Sequence, residues 1–536
     1  MKRVVMWGAA VMTVVSSTWA DLIHVPGDVP TLQAAIQAAD SGDEIVLADG
    51  TYSGEGFKSI VLPGFLFDAL TIRSANGADS TIIDLEGSSR FMDFVSGVPA
   101  TVVLEGMTIR NGKADSGGAL RVRSNSAPVI RACRFESCEA EGLLQDEHGG
   151  GAIRVDSSSP RIESCVFESN RANGFGAGVL VIGVGSTTFD ECVIHDNAAA
   201  IGGGIMWIGV GKESSGSITR CTFSANRGDL IPFESAGGAL LVFEGAQVDV
   251  DRCLFRDNVA PIGAAVIVAN NALVRMTNSV LHSNDAPLYN GVVTGDLGPG
   301  GVGGAIFTAL GGELTAYNCT LADNHAATVG GAVASGGGGV VNLVSSIVWG
   351  NDAPLGASLS APIVFENAGE VLVRFSDIEG GEAGVHLDPG GLLDWQGGND
   401  DVNPRFFNAA VHDYRLKPNS PCIDAGDLAA YPTGFPLDFA DAPRFHDDPG
   451  TVDTGESGDS AGGSAMIDIG AHEFQSTSPA CPADLDESGT VDFEDLMTLL
   501  AAWGACPGAC PPDLDGNGSV DFNDILALLN NWNCTP

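Results

Sequence analysis

The chain has 536 residues, and 68 acidic against 25 basic side chains give it a formal net charge of −43 at pH 7. This balance excludes nucleic acid as a partner, because phosphate binding requires a basic face that releases counterions. A polyanionic glycan would also be repelled overall, unless Ca²⁺ bridges it or a local basic groove receives it.

Residues 1–20 have the features of a secretory signal peptide. A basic start at Lys2 and Arg3 precedes an apolar run over 4–15 and an exit at Ala20. The run is too short to span a bilayer comfortably, which favours cleavage over an uncleaved anchor. We therefore expect a protein that is secreted or held at the extracellular surface, with no transmembrane segment after cleavage.

Residues 21–105 are predicted to contain an N-terminal cap and the first coils of the fold described next. Leu32, Ala35, Ile36 and Ala39 recur at helical spacing, and Gly42 provides a stop signal. This pattern predicts a short amphipathic helix whose apolar face covers the open end of the first coil. Such a cover is needed because an exposed coil edge is a template for aggregation.

Residues 106–392 repeat a pattern of Cys, an apolar residue and Asn. A glycine precedes each copy at nearly constant distance, and the period of 26 to 40 residues has one constant and one variable part. Such a period is typical of a solenoid. The pattern is found in full at Cys165/Asn170, Cys192/Asn197, Cys221/Asn226, Cys253/Asn258 and Cys319/Asn324, after glycine marks that include Gly176, Gly203, Gly237 and Gly303.

The constant segments are short, apolar and rich in β-branched residues, as in 152–155 and 179–182, with no long run of helical period. They therefore predict strands, with Gly and Asn at corners where the backbone adopts positive φ or a tight turn. Parallel coils stacked at about 4.8 Å would align equivalent residues in columns. The Asn amides would then hydrogen-bond along the axis. Packed, unpaired thiols are favoured for the Cys column, and disulfides between neighbouring coils are the alternative.

These features resemble the pectate-lyase-like, right-handed parallel β-helix proteins. Residues 23–36 and 42–52 are similar to the opening of that family, and the resemblance covers about residues 23–392. It implies an all-β, single-stranded right-handed parallel β-helix (solenoid) with an N-terminal capping helix. It does not determine the activity, because the same frame serves lyases, hydrolases, esterases and adhesins.

Residues 393–474 are expected to form the last coils and a C-terminal cap, and residues 475–480 a linker. Residues 481–536 then contain a duplication with a 29-residue offset. Oxygen-bearing residues and a turn glycine in each copy are spaced as in a Ca²⁺-binding loop, followed by an apolar-periodic helix. The predicted ligands of two calcium sites are Asp484, Asp486, Ser488, Thr490, Asp492 and Asp495, and Asp513, Asp515, Asn517, Ser519, Asp521 and Asp524.

The duplicated tail resembles a type I dockerin, a small all-α calcium-binding module. The resemblance implies a cohesin-like partner, but Phe493-Glu494 and Phe522-Asn523 depart from the usual recognition residues. Another surface protein therefore stays open as the partner. The duplication suggests the disulfides Cys481–Cys506 and Cys510–Cys534, with a short Cys506–Cys510 bridge as the alternative.

Candidate functional residues lie in three long insertions, after Cys138, Asn226 and Asn284. These insertions leave the same corner of the coil, so we expect them to form the walls of one groove. Such a groove could hold paired carboxylates for hydrolysis, or Ca²⁺ with an Arg base for β-elimination. Ordinary solvated loops are the alternative. The groove candidates are Glu141, Asp146, Glu147, His148, Arg227, Asp229, Glu234, Asp285, Tyr289 and Asp296.

No catalytic motif of the resembled family is present, so no catalytic residue is assigned. His195 and His282 fall in one outward column and are predicted to be surface histidines. The sequence favours a secreted protein that engages extracellular polysaccharide, with lyase or glycoside hydrolase activity left open, and that docks to a partner through its tail. The alternative is a non-catalytic adhesin or structural rod.

Overall fold

The computed structural model describes residues 20–142, 148–228, 236–288, 300–362, 367–448, 450–456, 466–475, 483–485, 491–506, 510–514 and 517–532. The chain divides into two compact units, Met1–Glu473 and Phe474–Pro536. This division lies at the start of the predicted linker. The predicted signal peptide lies outside the described residues, except for Ala20.

The larger unit is a parallel β-helix, as predicted, and each coil contributes strands to successive faces. Most strands pair in parallel with the equivalent strands of the coils on either side. Two long strands, Val179–Asp190 and Ile205–Thr219, run from the first face into the second. The other first-face strands are Ile60–Pro63, Met92–Val95, Leu120–Arg123, Ile153–Asp156, Leu240–Phe243, Val266–Ala269, Ile306–Ala309, Val333–Ser335, Leu359–Ala361 and His386–Leu387.

The second and third faces complete the coil, and a small sheet follows the third face. The remaining second-face strands are Leu22–Val25, Glu44–Leu47, Leu70–Ser74, Val102–Glu105, Val129–Arg131, Arg161–Glu163, Gln247–Asp251, Leu273–Thr277, Glu313–Tyr317, Val340–Val344, Glu370–Arg374 and Leu392–Trp395. The third face contains Gly50–Tyr52, Thr81–Asp84, Thr108–Arg110, Arg134–Glu136, Val166–Glu168, Val193–His195, Thr222–Ser224, Leu254–Arg256, Val280–His282, Thr320–Ala322, Ile347–Trp349 and Asp377–Ile378. The small sheet contains Lys113–Ala114, Glu139–Ala140, Arg171–Phe175, Ala198–Ile201 and Arg227–Gly228, and the same side carries the pair Asp285–Ala286 and His325–Ala326.

The predicted capping helix is present as α1, Leu32–Ala38. Thr31 caps its N-terminus, since the Thr31 side chain accepts a hydrogen bond from the backbone N–H of Ala34. Leu32, Ala35 and Ile36 are buried against the first coils. The helix therefore shields apolar residues at the N-terminal end of the β-helix.

The interior is built from columns of matching side chains. Phe135 stacks on Phe167 with ring centroids 5.1 Å apart, and Phe223 stacks on Phe255 at 4.7 Å. All four rings are buried, so each contributes roughly 1.5–3 kcal/mol relative to an exposed side chain. A column of this kind stabilises the coil without a globular core.

The predicted Asn ladder runs through successive coils at the corner after the third face. The side-chain amide of Asn197 donates to Asn226, that of Asn226 to Asn258, and that of Asn258 to Asn284, with N–O distances of 2.9–3.0 Å. The ladder residues are fully buried. The residue before each of them adopts positive φ, as at Asp196 and Ala225 with φ of 55°. The corner therefore lies where the Asn pattern predicts it, and in these coils the residue before the ladder Asn takes the positive φ.

The cysteines of the column are buried free thiols in the described residues, as the sequence favoured. The thiol of Cys192 donates to the backbone carbonyl of Ile162, and that of Cys253 to the carbonyl of Ile218. Burial raises the pKa of Cys138 to about 12. These groups act as small packed side chains rather than as reactive thiolates.

The glycine marks lie three residues before the first-face strands and adopt positive φ, as at Gly176 and Gly237. In the coil of Ile205–Thr219 the equivalent residue is Gly202, with φ of 70°, and not Gly203. The extra length of this coil, which disturbed the sequence spacing, comes from its long strand.

The described residues between 406 and 473, which we call the fold-back segment, run back along the β-helix instead of only closing its C-terminal end. The segment contains the antiparallel pair Phe406–Asn408 and Asp413–Leu416, and short 3₁₀ turns occur at Glu382–Gly384 and Ala409–Val411. The buried Arg444 guanidinium donates to Glu473 at 2.8 Å and to Asn278 on the β-helix at 3.0 Å. Contacts of the segment extend back as far as Arg252, which pairs with Asp441.

The smaller unit contains helices α2, Phe493–Ala501, and α3, Phe522–Asn530. Each helix begins with a capping box formed by two aspartates, and the strands Gly504–Ala505 and Ser519–Val520 pair antiparallel. Its buried core includes Ala483, Val491, Leu499, Val520 and Leu528. Cys506 is joined to Cys510, so the longer bridges Cys481–Cys506 and Cys510–Cys534 are wrong. Cys481 and Cys534 lie outside the described residues.

Candidate functional site

The described groove candidates lie on or next to the small sheet. Arg227 bridges to Val259, and Val259 bridges to Asp285, so Arg227 and Asp285 occupy one column two coils apart. Glu141 follows the strand Glu139–Ala140 and lies 2.7 Å from the Lys113 ammonium. The side chain of Asp285 lies 2.8 Å from the His325 ring, which sequence reasoning had not selected.

Among the remaining groove candidates, only His148 belongs to the described residues. His148 is half-buried, and its carbonyl accepts a hydrogen bond from the backbone N–H of Phe175. Asp146, Glu147, Asp229, Glu234, Tyr289 and Asp296 lie outside the described residues. The described candidates therefore share one side of the β-helix but form no close acid–base pair of carboxylates.

A second constellation, the arginine cluster, lies on the outward side of the first face. We define it as Arg90, Arg121, Arg123 and Arg154 with the carboxylates of Asp93 and Asp156. Strand alternation produces it, because Leu120 and Val122 point into the core while Arg121 and Arg123 point out. The next coil places Arg154 in register with Arg121.

Four guanidinium groups in the cluster share two carboxylates. Arg123 lies 3.1 Å and Arg90 3.9 Å from Asp93. Arg121 lies 2.8 Å and Arg154 2.7 Å from Asp156. The cluster itself therefore carries two more positive than negative charges, in a chain whose total is −43.

Arg90 is the least satisfied member of the cluster. One terminal nitrogen donates to the Ser116 carbonyl at 2.7 Å, but the Nε atom is buried without a hydrogen-bond partner. Burial lowers the pKa of Arg90, and repulsion from Arg121 and Arg123 acts in the same direction, against the attraction of Asp93 and Asp115. A cavity of about 380 Å³ opens beside it, lined by Ser59, Ile60, Val61, Ser89, Arg90, Asp93, Lys113, Ala114 and Asp115.

Sequence reasoning missed the arginine cluster, although a signal was present. Arg121 and Arg154 each lie four residues after a glycine mark, Gly117 and Gly150. The same position holds Leu180 in the following coil. Aligning the coils on their glycine marks would have shown that the outward column changes from basic to apolar at this point.

The second face carries a polar groove of about 500 Å³ in the middle of the β-helix. Its central charged pair is Asp249 and Arg275, whose side chains lie 2.8 Å apart on neighbouring coils. The Arg275 guanidinium also lies 5.1 Å above the ring of Phe435. The lining is completed by Ser186, Ser215, Gly216, Ser217, Gln247, Val248 and Leu273.

The prediction of a surface histidine is wrong for His282. His282 lies in the expected column beside Arg256, but it is only 5% exposed because His412 of the fold-back segment stacks on it at 4.4 Å. Burial lowers the pKa of His282 to about 4. The covering segment is more than a hundred residues away in sequence, so no local pattern could indicate it.

The predicted calcium loops of the tail can be tested for fit at their described residues. Asp495 and Asp524, the twelfth positions, are fully buried, and Asp495 accepts backbone hydrogen bonds from Leu485 and Asp492. Asp513 accepts backbone hydrogen bonds from Asn517 and Gly518, which close the second loop. Carboxylate oxygens held by a tight turn are the donor set that Ca²⁺ prefers, so these residues fit the ion. Asp486, Ser488, Thr490 and Asp515 lie outside the described residues.

Within the described parts of the chain, no helix is both long enough and apolar enough to cross a membrane. No curated protein sequence matches the chain. Several solved structures are similar to it. The A-module of the mannuronan C-5 epimerase AlgE4 from Azotobacter vinelandii is 14% identical, over 69% of this chain and 94% of that one, with a TM-score of 0.38.

Two further similar structures are lyases. The pectate lyase Pel9A is 13% identical, over 86% of this chain and 98% of that one, with a TM-score of 0.36. An alginate lyase from Paenibacillus sp. str. FPU-7 is 14% identical, over 71% of this chain and 99% of that one, with a TM-score of 0.31. The model of the family described as "Right handed beta helix region" matches residues 71–209 and 146–368, more than half of the chain. The chain therefore belongs to the right-handed β-helix family.

Proposed function

We propose that this protein is secreted, binds an acidic polysaccharide on the first face of its β-helix, and docks to a partner protein through its calcium-binding tail. The observation that carries the glycan proposal is the arginine cluster. An acidic glycan needs a local basic surface on a chain of such negative charge, and the cluster supplies one.

The geometry of the cluster suits a chain of anionic sugars. Arg121 and Arg154 lie on neighbouring coils, which are about 4.8 Å apart. An incoming carboxylate can accept paired hydrogen bonds from a guanidinium group, and hydrogen bonds to charged groups contribute about 1.5–3 kcal/mol each.

The strands make the cluster rigid, which favours binding. Each of the strands Leu120–Arg123 and Ile153–Asp156 is paired with a neighbouring coil on both sides. The guanidinium groups of Arg121 and Arg154 are further held by Asp156. A glycan therefore meets donors that are already oriented, and less side-chain entropy is lost on binding.

Catalysis is a separate question from binding. The hydrogen bonds that Arg123 donates to Asp93 raise the pKa of Arg123, which keeps that guanidinium protonated and unavailable as a general base. The pKa of Arg90 moves in the direction that a general base needs. The non-catalytic alternative, an adhesin or structural rod, gains support from the ion pairs that occupy the cluster, and product release decides between the two.

The test is a binding assay with polygalacturonate, alginate and a neutral glucan, each with and without EDTA. We expect both acidic chains to bind more tightly than the neutral one. The double variant Arg121→Gln, Arg154→Gln should weaken this binding at least about tenfold, equivalent to about 1.4 kcal/mol. If unsaturated or reducing ends appear, the protein is also an enzyme. Binding without such ends would favour the non-catalytic adhesin or structural rod.

The matched control is Arg275→Gln on the second face, which removes a cation that is also paired with a carboxylate. This variant should bind the acidic glycans like the original protein. If Arg275→Gln lost binding and the double variant kept it, the glycan would lie in the polar groove and the assignment to the first face would be wrong. Equal affinity for neutral and acidic glycans would also contradict it.

The tail proposal rests on the duplicated loops and the buried twelfth-position aspartates. Calorimetry on the full chain should detect two Ca²⁺ ions bound per molecule. The variant Asp484→Ala, Asp513→Ala should lose them, because these residues are the first ligands of the two loops. If calorimetry on the original protein detects no heat of Ca²⁺ binding, the calcium assignment is refuted.

A further inference from the structure

The polar groove on the second face lies between two departures from the regular coil. At the corner before the groove, residues 210–213 of the strand Ile205–Thr219 stand opposite the single residue Val184 of the preceding coil, so the strand bulges. At the corner after it, Asn278 donates a hydrogen bond to the Tyr431 hydroxyl of the fold-back segment at 2.8 Å. The groove is therefore flanked on both sides by chain that is fixed to the β-helix.

Outward side chains of three neighbouring coils line the floor of the groove. Strand pairing aligns them in two rows, which are Ser215, Gln247 and Leu273, and Ser217, Asp249 and Arg275. These residues alternate with Val248 and Val250, which belong to the buried core. Since five of the six floor residues are polar, the groove is unsuited to an apolar ligand.

Most of the polar groups on this floor have no partner in the fold. In the part of the chain that the structure describes, the side chains of Ser215, Ser217 and Gln247 make no hydrogen bond, although each residue is half-buried. Each carries donor and acceptor groups. A ligand with several hydroxyl groups can therefore bind to these side chains without breaking a hydrogen bond of the β-helix.

The ion pair in the groove presents a donor beside an acceptor. The Arg275 guanidinium donates to one carboxylate oxygen of Asp249 at 2.8 Å and lies 5.1 Å above the ring of Phe435. These two contacts orient the guanidinium, while its other N–H groups and the second oxygen of Asp249 make no hydrogen bond to the described residues. Two neighbouring hydroxyls of a sugar match this arrangement, because a hydroxyl both donates and accepts.

The charge of the groove favours an uncharged ligand. Its lining contains one acidic and one basic residue, Asp249 and Arg275, so its formal charge is zero. An acidic ligand would meet only a cation that is already paired, on a chain whose total charge is −43. A neutral ligand is not repelled, and this distinguishes the groove from the arginine cluster with its two excess positive charges.

We propose that the polar groove is a second carbohydrate-binding site and that it binds a neutral oligosaccharide across neighbouring coils. The coil spacing of about 4.8 Å is close to the width of one sugar ring, so successive coils can contact successive sugars. The site lies on a different face from the arginine cluster and does not depend on the acidic glycan proposed there. Most of its hydrogen bonds join uncharged groups, so it should bind more weakly than the cluster binds an acidic chain.

The experiment titrates the full chain with maltohexaose, cellohexaose, xylohexaose and mannohexaose, and follows the sugar by saturation-transfer NMR. We expect at least one of these neutral sugars to bind with a millimolar or lower Kd. The variant Asp249→Ala, Arg275→Ala leaves the net charge unchanged and should weaken that binding at least about tenfold, because it removes the paired donor and acceptor. Its urea denaturation curve should match that of the original protein, since both side chains are exposed at the surface.

The matched control is Glu105→Ala, Arg131→Ala. It removes an ion pair of the same length, 2.8 Å, which also joins neighbouring coils of the second face but lies outside the polar groove. This control should bind the neutral sugar within about twofold of the original protein, because distant sites act independently. Equal weakening in the control and the groove variant would overturn the proposal, and so would binding of none of the four sugars by the original protein.

Polygalacturonate in the same assay separates this inference from the proposed function. The groove variant should bind polygalacturonate like the original protein, and Arg121→Gln, Arg154→Gln should bind the neutral sugar like the original protein. Loss of the neutral sugar in the first-face variant alone would place that sugar on the first face and overturn the inference. If the original protein bound the neutral sugar but no acidic chain, the acidic-glycan proposal would be refuted and the second site would stand.

Discussion

Replacing Asn226 by alanine removes one rung of the buried amide ladder. The Asn226 side-chain amide donates to the Ile194 carbonyl at 2.8 Å and to Asn258 at 3.0 Å. Its oxygen accepts from the backbone N–H of Asn197 at 3.2 Å and from the Asn197 side chain at 3.0 Å. The variant therefore loses four hydrogen bonds in a position with no solvent exposure.

The loss of stability depends on the hydrogen-bonding groups that Asn226→Ala leaves without a partner. The Asn197 side chain keeps hydrogen bonds to the carbonyls of Phe167 and His195, but the backbone N–H of Asn197 and the Ile194 carbonyl lose the Asn226 partner. Each buried group without a partner costs about 1–3 kcal/mol, so we expect Asn226→Ala to lower the free energy of unfolding by roughly 2–6 kcal/mol.

Urea denaturation followed by circular dichroism measures this change. The matched control is Asn173→Ala, two coils away, because Asn173 is exposed and makes one hydrogen bond, to the Glu141 carbonyl. We expect the control to change the free energy of unfolding by less than about 0.5 kcal/mol. Equal unfolding curves for Asn226→Ala and the control would refute the reasoning that the ladder stabilises the coils.

Other predictions concern the core, the thiols, the pH response and the tail. Phe255→Ala should lower the free energy of unfolding by about 3–5 kcal/mol in the same denaturation assay, because it opens a cavity beside Phe223. The eight buried thiols should react with a thiol reagent only after denaturation. The pKa of His282 is lowered from 6.5 to about 4 in the folded protein, so its neutral form stabilises docking of the fold-back segment above about pH 6.5. That stability is lost as the pH falls toward 4, and hydrogen exchange over residues 406–416 should rise in this window but not in a His282→Phe variant. Asp495→Ala should melt α2 by removing its capping box, with a loss of helical circular dichroism.

The β-helix could be predicted from the sequence because its information is periodic. The glycine marks, the Cys column and the Asn ladder repeat with each coil, so one coil explains its neighbours. The outward surface of the coils is harder to predict from the sequence, because only the inward residues are constrained to be apolar. Arg121 and Leu180, for example, occupy the same outward column. This is why the repeated pattern predicted the core, whereas the arginine cluster could be found only by comparing the outward column coil by coil.

The fold-back segment could not be predicted because its contacts join distant parts of the chain. The side chains of Arg444 and Glu473 are fully buried, whereas charged residues are ordinarily expected to be exposed. Arg444 is also hydrogen-bonded to Asn278, which lies 166 residues earlier in the chain. Only a three-dimensional arrangement shows that these charges satisfy each other.

The fold-back segment also restricts how the β-helix can change in length. A coil bonds only to its two neighbours, so duplicating or deleting a whole coil preserves the column pattern. Between Arg252 and Asp377 such a change would shift the anchor points of the segment, which include Asn278 and Ser345. Coils before Arg252 carry no such anchors among the contacts described. We therefore infer that evolution and engineering can add coils in the N-terminal half, while the C-terminal half is held to a fixed number.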